Sequence, residues 1–214
     1  MNSSKHISIA GLSTLHAMDK HYLISKYRPD LALFGIIYRD VHETTEQEIR
    51  TAPIVTSFLN SLGGFRVHRN IGGHGVVAVL DNGTGRTLML RADMDALPHL
   101  ARTGLPYASK KTGTDAEGQL TPVMHACGHD MQTACLLGTA KLLHSARRNW
   151  QGTLICLFQP AEEIAQGARA MVADGLYSKV PVPDIVLGQH LHAFKAGVVA
   201  LGGGPILTAV DSYE

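Results

Sequence analysis

The chain has 214 residues, enough to bury one sizeable core, and a formal net charge of +1. This balanced charge predicts no nucleic-acid surface, and no apolar run reaches the roughly 18 residues of a membrane span. The three cysteines are odd in number and form no Cys-x-x-Cys pair, so we expect no disulfide framework. Because residues 7–15 also make a poor signal peptide, a cytoplasmic protein is predicted.

Helix-like and strand-like segments alternate from residue 44 onward, whereas the apolar run at residues 31–38 shows no clear amphipathic pattern. A helix is predicted to begin near Pro53 and to stop at Gly63, because apolar residues recur between them at helical spacing. These residues are Val55, Phe58, Leu59 and Leu62. Strands are predicted over residues 75–80 and 87–90, with a glycine-containing turn between them.

The second half continues the alternation. Asp130 is placed to cap a helix over residues 131–145, and a shorter helix is predicted over residues 168–173. Residues 153–158 and 184–187 are continuous apolar runs, which are typical of strands buried on both faces. Strands that alternate with helices predict an α/β fold with a mainly parallel sheet flanked by helices.

Acidic and imidazole side chains follow three of the predicted strands. Asp93 and Asp95 close one strand, Glu162 and Glu163 follow another, and His190 follows a third. In open parallel sheets the chemistry collects at the carboxyl ends of the strands. We therefore expect these side chains to lie together.

The run from His125 to Asp130 and the pair Glu162-Glu163 are the main chemical feature of the sequence. Cys127, His129 and the carboxylates supply the mixed sulfur, nitrogen and oxygen ligands that zinc or manganese accepts. A buried cysteine and a solvated glutamate pair are the alternative interpretations of the separate pieces. Their joint occurrence beside strand-like segments favours a metallohydrolase centre.

Four segments in a fixed order resemble one enzyme family. They are residues 90–98 (LRADMDALP), 125–130 (HACGHD), 158–163 (FQPAEE) and 188–190 (GQH). Together they resemble the metal-dependent amidohydrolases related to hippurate hydrolase, aminoacylase and auxin-conjugate hydrolases. The resemblance implies a catalytic domain with two divalent ions, zinc or manganese, and an inserted lid domain that mediates homodimerisation. It also implies an N-acyl or N-aroyl amino acid, or a small peptide, as substrate.

The resemblance assigns roles by motif position. The implied metal ligands are Cys127, His129, Glu163 and His190. Glu162 would be the general base that activates water and returns the proton to the leaving amine. Asp95 would orient the site, and Asp93 would be a neighbour without an assigned role.

The resemblance extends from about residue 38 to the end of the chain. Residues 1–37 are interpreted as a poorly matched extension, residues 38–208 as an incomplete catalytic domain, and residues 209–214 as the start of a lid that is otherwise missing. The family's His-x-x-Pro-Glu-Leu-Ser segment is also shortened after His42. On this interpretation turnover by the chain alone is impaired, no dimer is predicted, and a non-catalytic metal-binding remnant is the alternative function.

Several residues keep alternative interpretations. His192 competes with His190 as a ligand, although the Gly-x-His pattern favours His190. His125 is interpreted as either a ligand or a hydrogen-bond partner, and Arg91 as the partner of a carboxylate. Cys135 and Cys156 are expected to be inert core thiols. A cysteine hydrolase that uses Cys127 is disfavoured, because His129 is poorly placed to act as its base.

Overall fold

The computed structural model describes residues 20–43, 48–114, 118–193 and 195–199. The predicted first lid strand, residues 209–214, lies outside these ranges, as do residues 1–19 of the predicted extension. The described helices, including a short 3-10 turn, are α1 (Lys20–Tyr27), α2 (Leu31–Glu43), α3 (Thr51–Leu62), α4 (His129–Ser145), the turn Arg147–Asn149, α5 (Gly167–Ala173) and α6 (Leu176–Lys179). The strands are β1 (Arg66–Ile71), β2 (Gly75–Asn82), β3 (Thr87–Asp93), β4 (Thr112–Thr114), β5 (Leu120–Pro122), β6 (Gly152–Gln159) and β7 (Ile185–Gly188).

Five of the described strands form the main sheet, in the order β1-β2-β6-β3-β7. The pairs β6–β3 and β3–β7 are parallel, whereas β1–β2 and β2–β6 are antiparallel. The α/β class is therefore confirmed, with parallel pairing restricted to β6, β3 and β7. The short strands β4 and β5 pair with each other in a separate antiparallel sheet.

The central strands alternate their side chains between two apolar layers. In β2, Val76, Ala78 and Leu80 pack on one face, and Val77 and Val79 pack on the other. Because successive strand residues point to opposite faces, one continuous apolar run serves both layers. Helices α2, α3 and α4 cover the first face with a set that includes Phe34, Leu59 and Leu137. Residues of α5 and α6 cover the second face with Met171 and Leu176.

Helix α2 crosses the predicted boundary between residues 37 and 38. Its buried residues Phe34, Ile37 and Val41 recur at intervals of three and four and join the layer that contains α4. The expectation that residues 31–38 lack an amphipathic pattern is therefore wrong. The face becomes evident only when the helix is followed through to residue 43.

Strand β7 departs from its prediction in burial. The strand exists, but all four of its residues are exposed, so it is not buried on both faces. Its pairing with β3 is nevertheless regular, from Leu88 opposite Ile185 to Arg91 opposite Gly188. Among the described residues, no helix is both long enough and apolar enough to cross a bilayer.

Candidate metal centre

Asp95 and His129 form the buried base of the candidate site. Asp95 follows β3 and is 6% exposed, and His129 is the first residue of α4 and is 0% exposed. The His129 Nδ1 lies 2.9 Å from Asp95 Oδ1 and 3.0 Å from the Asp95 carbonyl oxygen. These two acceptors require a proton on Nδ1 and leave Nε2 available to a ligand.

The second carboxylate oxygen of Asp95 binds the backbone of the Glu162-Glu163 pair. Asp95 Oδ2 accepts a hydrogen bond from the Glu163 backbone N–H at 2.8 Å. Glu162 Oε2 and Glu163 Oε1 then lie 3.8 and 3.9 Å from His129 Nε2. One carboxylate therefore couples the α4 imidazole to the loop that follows β6.

Cys127 and His190 complete the group on the adjacent side. The Cys127 Sγ lies 3.3 Å from His190 Nε2, and the ligand atoms of Cys127, His129 and His190 lie within 4.8 Å of one another. Asp93, His129 and Glu162 form a second group that meets the same distance limit. His129 belongs to both groups, so the site offers ligand atoms on two sides of one imidazole.

Hydrogen bonding and charge fit a cation at this position. His129 Nε2 and Glu163 Oε1 are buried and have no hydrogen-bond partner among the residues that the structure describes. Burial, with the nearby charges of Glu163, Glu162 and Asp95, raises the pKa of the Cys127 thiol to about 11. A divalent cation would bind both His129 Nε2 and Glu163 Oε1. It would also stabilise the Cys127 thiolate, which the negative charges of the carboxylates disfavour. The donor set therefore fits zinc or manganese.

The two aspartates at the end of β3, Asp93 and Asp95, have opposite electrostatic environments. Burial raises the pKa of Asp93 to about 6, although Arg91 Nη2 lies 2.5 Å from its Oδ1 and partly opposes that rise. Burial also acts on Asp95, but hydrogen bonds from the His129 ring and the Glu163 N–H outweigh it and lower the pKa of Asp95. Asp95 is thus held as the anion that fixes the imidazole, and Arg91 pairs with a carboxylate as predicted.

Two cavities flank the centre, each with a volume of about 440 Å³. Glu162 lies in the wall of the first, among apolar residues that include Met89, Leu157 and Met171. Cys127 and His190 lie in the wall of the second, with His42 and His125. Both the glutamate and the thiol are therefore reachable from open space.

Comparison with known proteins identifies the family. The profile of peptidase family M20/M25/M40 matches residues 89–204. The chain belongs to this family. The family that the four motifs predict is therefore confirmed.

The chain is similar in sequence to several curated hydrolases. The chain is 42% identical to hippurate hydrolase of Campylobacter jejuni over 85% of its own length and 45% of that protein. It is 37% identical to N-acetyl-L-cysteine deacetylase of Bacillus subtilis, over 83% of the chain and 41% of that protein. It is 35% identical to IAA-amino acid hydrolase ILR1-like 2 of Arabidopsis thaliana, over 83% of the chain and 38% of that protein. The chain thus spans less than half the length of these relatives.

Solved structures show the same architecture. A putative aminohydrolase from methicillin-resistant Staphylococcus aureus superimposes with a TM-score of 0.65 and 34% identity, over 80% of this chain and 41% of that chain. The Bacillus subtilis YXEP protein, described as a dinuclear metal-binding peptidase of the M20 family, gives a TM-score of 0.64 and 34% identity, over 78% and 43%. The α/β architecture is therefore that of M20 structures.

The structure brings together six of the residues predicted for the M20 site. They are Asp95, Cys127, His129, Glu162, Glu163 and His190. Their separate roles remain predictions. His190, rather than its competitor His192, joins the Cys127 group within the described part of the chain.

Other expectations need correction. Helix α4 begins at His129, so Asp130 lies in its first turn and is not the cap. Asp130 Oδ2 instead lies 2.6 Å from His42 Nδ1 on α2, in a buried pair. His125 is buried, and within the described part of the chain neither of its ring nitrogens has a hydrogen-bond partner. Cys156 is buried as expected, whereas Cys135 is exposed.

Sequence reasoning missed one residue that contacts the site loop. Glu48 Oε1 accepts a hydrogen bond from the Ala161 backbone N–H at 2.9 Å. The two residues are 113 positions apart, and Glu48 lies in none of the four motifs. No local pattern could therefore have indicated this contact.

Proposed function

We propose that this chain carries the metal centre of an M20 amidohydrolase that cleaves the amide bond of N-acyl or N-aroyl amino acids. The single observation that carries the proposal is the buried, partnerless His129 Nε2 between Cys127 and Glu163. The substrates in the names of two relatives, hippurate hydrolase and N-acetyl-L-cysteine deacetylase, support this substrate class. Because the chain spans less than half of these relatives, the activity is proposed for the whole protein.

Four side chains would hold the metal. They are Cys127, His129, Glu163 and His190, with zinc or manganese as the ion and two ions in the complete site, as the description of the YXEP structure suggests. When bound, the ions supply a Lewis acid that polarises the amide carbonyl and makes water more acidic. Asp95 fixes the orientation of the His129 ring through Nδ1, and Nε2 would then be the nitrogen that binds the ion.

Glu162 is proposed as the residue that moves the proton. It is the more exposed carboxylate of the pair, at 37% for its side chain against 20% for Glu163, and it borders the apolar cavity. Its carboxylate would accept a proton from the attacking water and pass it to the amine nitrogen as the carbon–nitrogen bond breaks. The acyl carbon keeps the water oxygen, so the products are a carboxylate and an amine.

Metal analysis tests the proposal. Protein purified without chelator should contain zinc, manganese, cobalt or nickel, and Cys127→Ser should lower that content. Cys135→Ser is the matched control, since Cys135 is an exposed thiol outside the site. A metal-free wild-type protein, or equal metal content in Cys127→Ser, would contradict the proposal.

A hydrolysis assay tests the substrate class. Metal-loaded protein of full family length should hydrolyse members of a panel of N-acetyl and N-benzoyl amino acids, and Glu162→Gln should abolish this. Metal binding without hydrolysis of any member would favour the alternative, a non-catalytic metal-binding protein.

A further inference from the structure

The loop that carries Glu162 and Glu163 has an unusual backbone. Ala161 and Ala165 both have positive φ angles, 48° and 53°, although neither is glycine. Such conformations are strained for residues other than glycine and persist only where surrounding contacts enforce them. Contacts that hold this loop therefore also determine where the two glutamates point.

Part of that enforcement is internal to the loop. The Ala161 carbonyl accepts hydrogen bonds from the backbone N–H groups of Gln166 and Gly167 at 3.2 and 3.0 Å. A Cβ atom at Gly167 would lie 1.6 Å from the Pro160 carbonyl oxygen, so the turn closes tightly on itself. These bonds fix the shape of the loop but do not attach it to the rest of the protein.

Two carboxylates make that attachment at the start of the loop. Asp95 accepts the Glu163 N–H at 2.8 Å, and Glu48 accepts the Ala161 N–H at 2.9 Å. Glu48 precedes α3 and is itself held at a positive φ of 62°. Its backbone carbonyl accepts the Ala52 N–H, so the start of α3 orients the Glu48 side chain toward the loop.

A role for the Glu48 side chain in capping α3 does not explain this geometry. Arg50 occupies the N-cap position of α3, and no side chain donates or accepts a capping bond there. Burial raises the pKa of the Glu48 carboxyl, whereas the Ala161 hydrogen bond acts in the opposite direction. The carboxylate is thus half-buried against the loop rather than solvated at the helix end.

We propose that Glu48 is a positioning residue that, together with Asp95, clamps the loop of residues 160–167 and thereby orients Glu162 and Glu163. The consequence for metal affinity rests on the proposed function, whereas the clamp itself does not. Residues that orient metal ligands typically change affinity by about 10- to 100-fold when they are replaced.

Three substitutions at Glu48 distinguish the effect of side-chain length from the effect of side-chain charge. Glu48→Ala removes the acceptor, and Glu48→Asp keeps the charge but is one methylene too short to make the same bond. Glu48→Gln loses the charge but keeps an oxygen at the same distance. Glu43→Ala is the control, because Glu43 is an exposed carboxylate on α2.

Hydrogen exchange of the metal-free chain tests the clamp directly. In Glu48→Ala and Glu48→Asp the amide of Ala161 should exchange about tenfold faster, which corresponds to the loss of one hydrogen bond. Glu48→Gln and Glu43→Ala should retain wild-type protection. Unchanged exchange in both Glu48→Ala and Glu48→Asp would overturn the proposal. Glu48→Asp provides the same test if Glu48→Ala does not fold.

Zinc affinity tests the consequence for the site. In competition titrations with a chromophoric chelator, Glu48→Ala and Glu48→Asp should bind Zn²⁺ about 10- to 100-fold more weakly, and Glu48→Gln should remain close to wild type. Wild-type affinity in folded Glu48→Ala and Glu48→Asp, with only a lowered melting temperature, would show a purely structural role and would overturn the inference. Failure of the wild type itself to bind zinc would contradict the proposed function, and hydrogen exchange would then decide the clamp alone.

Discussion

The imidazole of His129 links every part of the candidate centre. Its Nδ1 is engaged by Asp95, and its Nε2 faces Glu162 and Glu163 without a hydrogen-bond partner. Asp95 raises the pKa of His129 against the opposing effect of burial. A ligand cation must therefore displace any Nε2 proton, which makes the site sensitive to pH as well as to metal.

The adjacent glutamates should respond differently to the same substitution. We expect Glu162→Gln to retain metal and to abolish turnover in an active full-length form, because an amide cannot accept the proton. Glu163→Gln should lower metal occupancy, because Glu163 is the proposed ligand beside His129 and its Oε1 is buried there. Elemental analysis combined with an activity assay distinguishes the two roles. The reverse pattern would show that the assignment is wrong.

Metal affinity should rise with pH because of Cys127. Its thiol has a pKa raised to about 11 without metal, and the ligand form is the thiolate. Each bound ion must release this proton, so affinity should increase about tenfold per pH unit between pH 7 and pH 9. Competition titrations at three pH values measure the slope. Cys127→Ser should bind more weakly and lose about one unit of slope, and an equal slope in both proteins would contradict thiolate ligation.

At the scale of elements, the site depends on the parallel strands β6, β3 and β7. In the strand register, Asp93 of β3 lies opposite Gln159 of β6, and Arg91 of β3 lies opposite Gly188 of β7. The three strands therefore end at the same edge of the sheet. Residues that follow these ends are therefore brought together despite their separation in sequence.

Two glycines should respond in opposite ways to alanine. Gly35 lies inside α2, and a Cβ there would contact nothing within 4 Å, so Gly35→Ala should stabilise by about 0.5–1 kcal/mol. Gly72 has a φ of 61°, and a Cβ there would lie 2.3 Å from the Met171 backbone nitrogen. Gly72→Ala should therefore destabilise by more than about 1 kcal/mol. Urea unfolding measures both, and stabilisation by Gly72→Ala would contradict the packing of α5 against this turn.

For the whole molecule, two buried groups, His125 and Asp93, change the free energy of unfolding in opposite directions as the pH falls. Burial lowers the pKa of His125 to about 4, so its contribution is complete above the ordinary value of 6.5 and is lost as the pH falls toward 4. Burial raises the pKa of Asp93 to about 6, so its contribution is complete below 3.8 and is lost as the pH rises through 6. The two effects fall in the same pH range and partly cancel.

Replacing His125 should expose this cancellation. In the metal-free wild type, protonation of His125 should lower the free energy of unfolding by roughly 3 kcal/mol between pH 6.5 and pH 4. His125→Gln lacks this titrating group and should not show that decrease. The stability advantage of the wild type over His125→Gln should therefore shrink as the pH falls. Urea unfolding at several pH values measures it, with the exposed His99→Gln as control. A constant difference across this range would show that His125 is not a buried neutral imidazole.

Local sequence patterns predicted most of the central elements and the residues of the candidate site. Apolar runs predicted β2, β3 and β6, helical spacing predicted α3, and the four motifs predicted the M20 family. These patterns are readable because period and turn residues act between near neighbours in the chain. The amphipathic face of α2 was missed because it spans the whole helix rather than residues 31–38.

Which distant segments meet is evident only from the folded chain. Strand β6 lies between β2 and β3, and the hydrogen bonds that join it to both have no counterpart in local sequence pattern. The same holds for Glu48 on Ala161 and for His42 on Asp130, which lie 113 and 88 residues apart. Such contacts form because the folded chain buries polar groups that must then find partners wherever the packing places them. Local sequence specifies which groups need partners, and packing selects the partners.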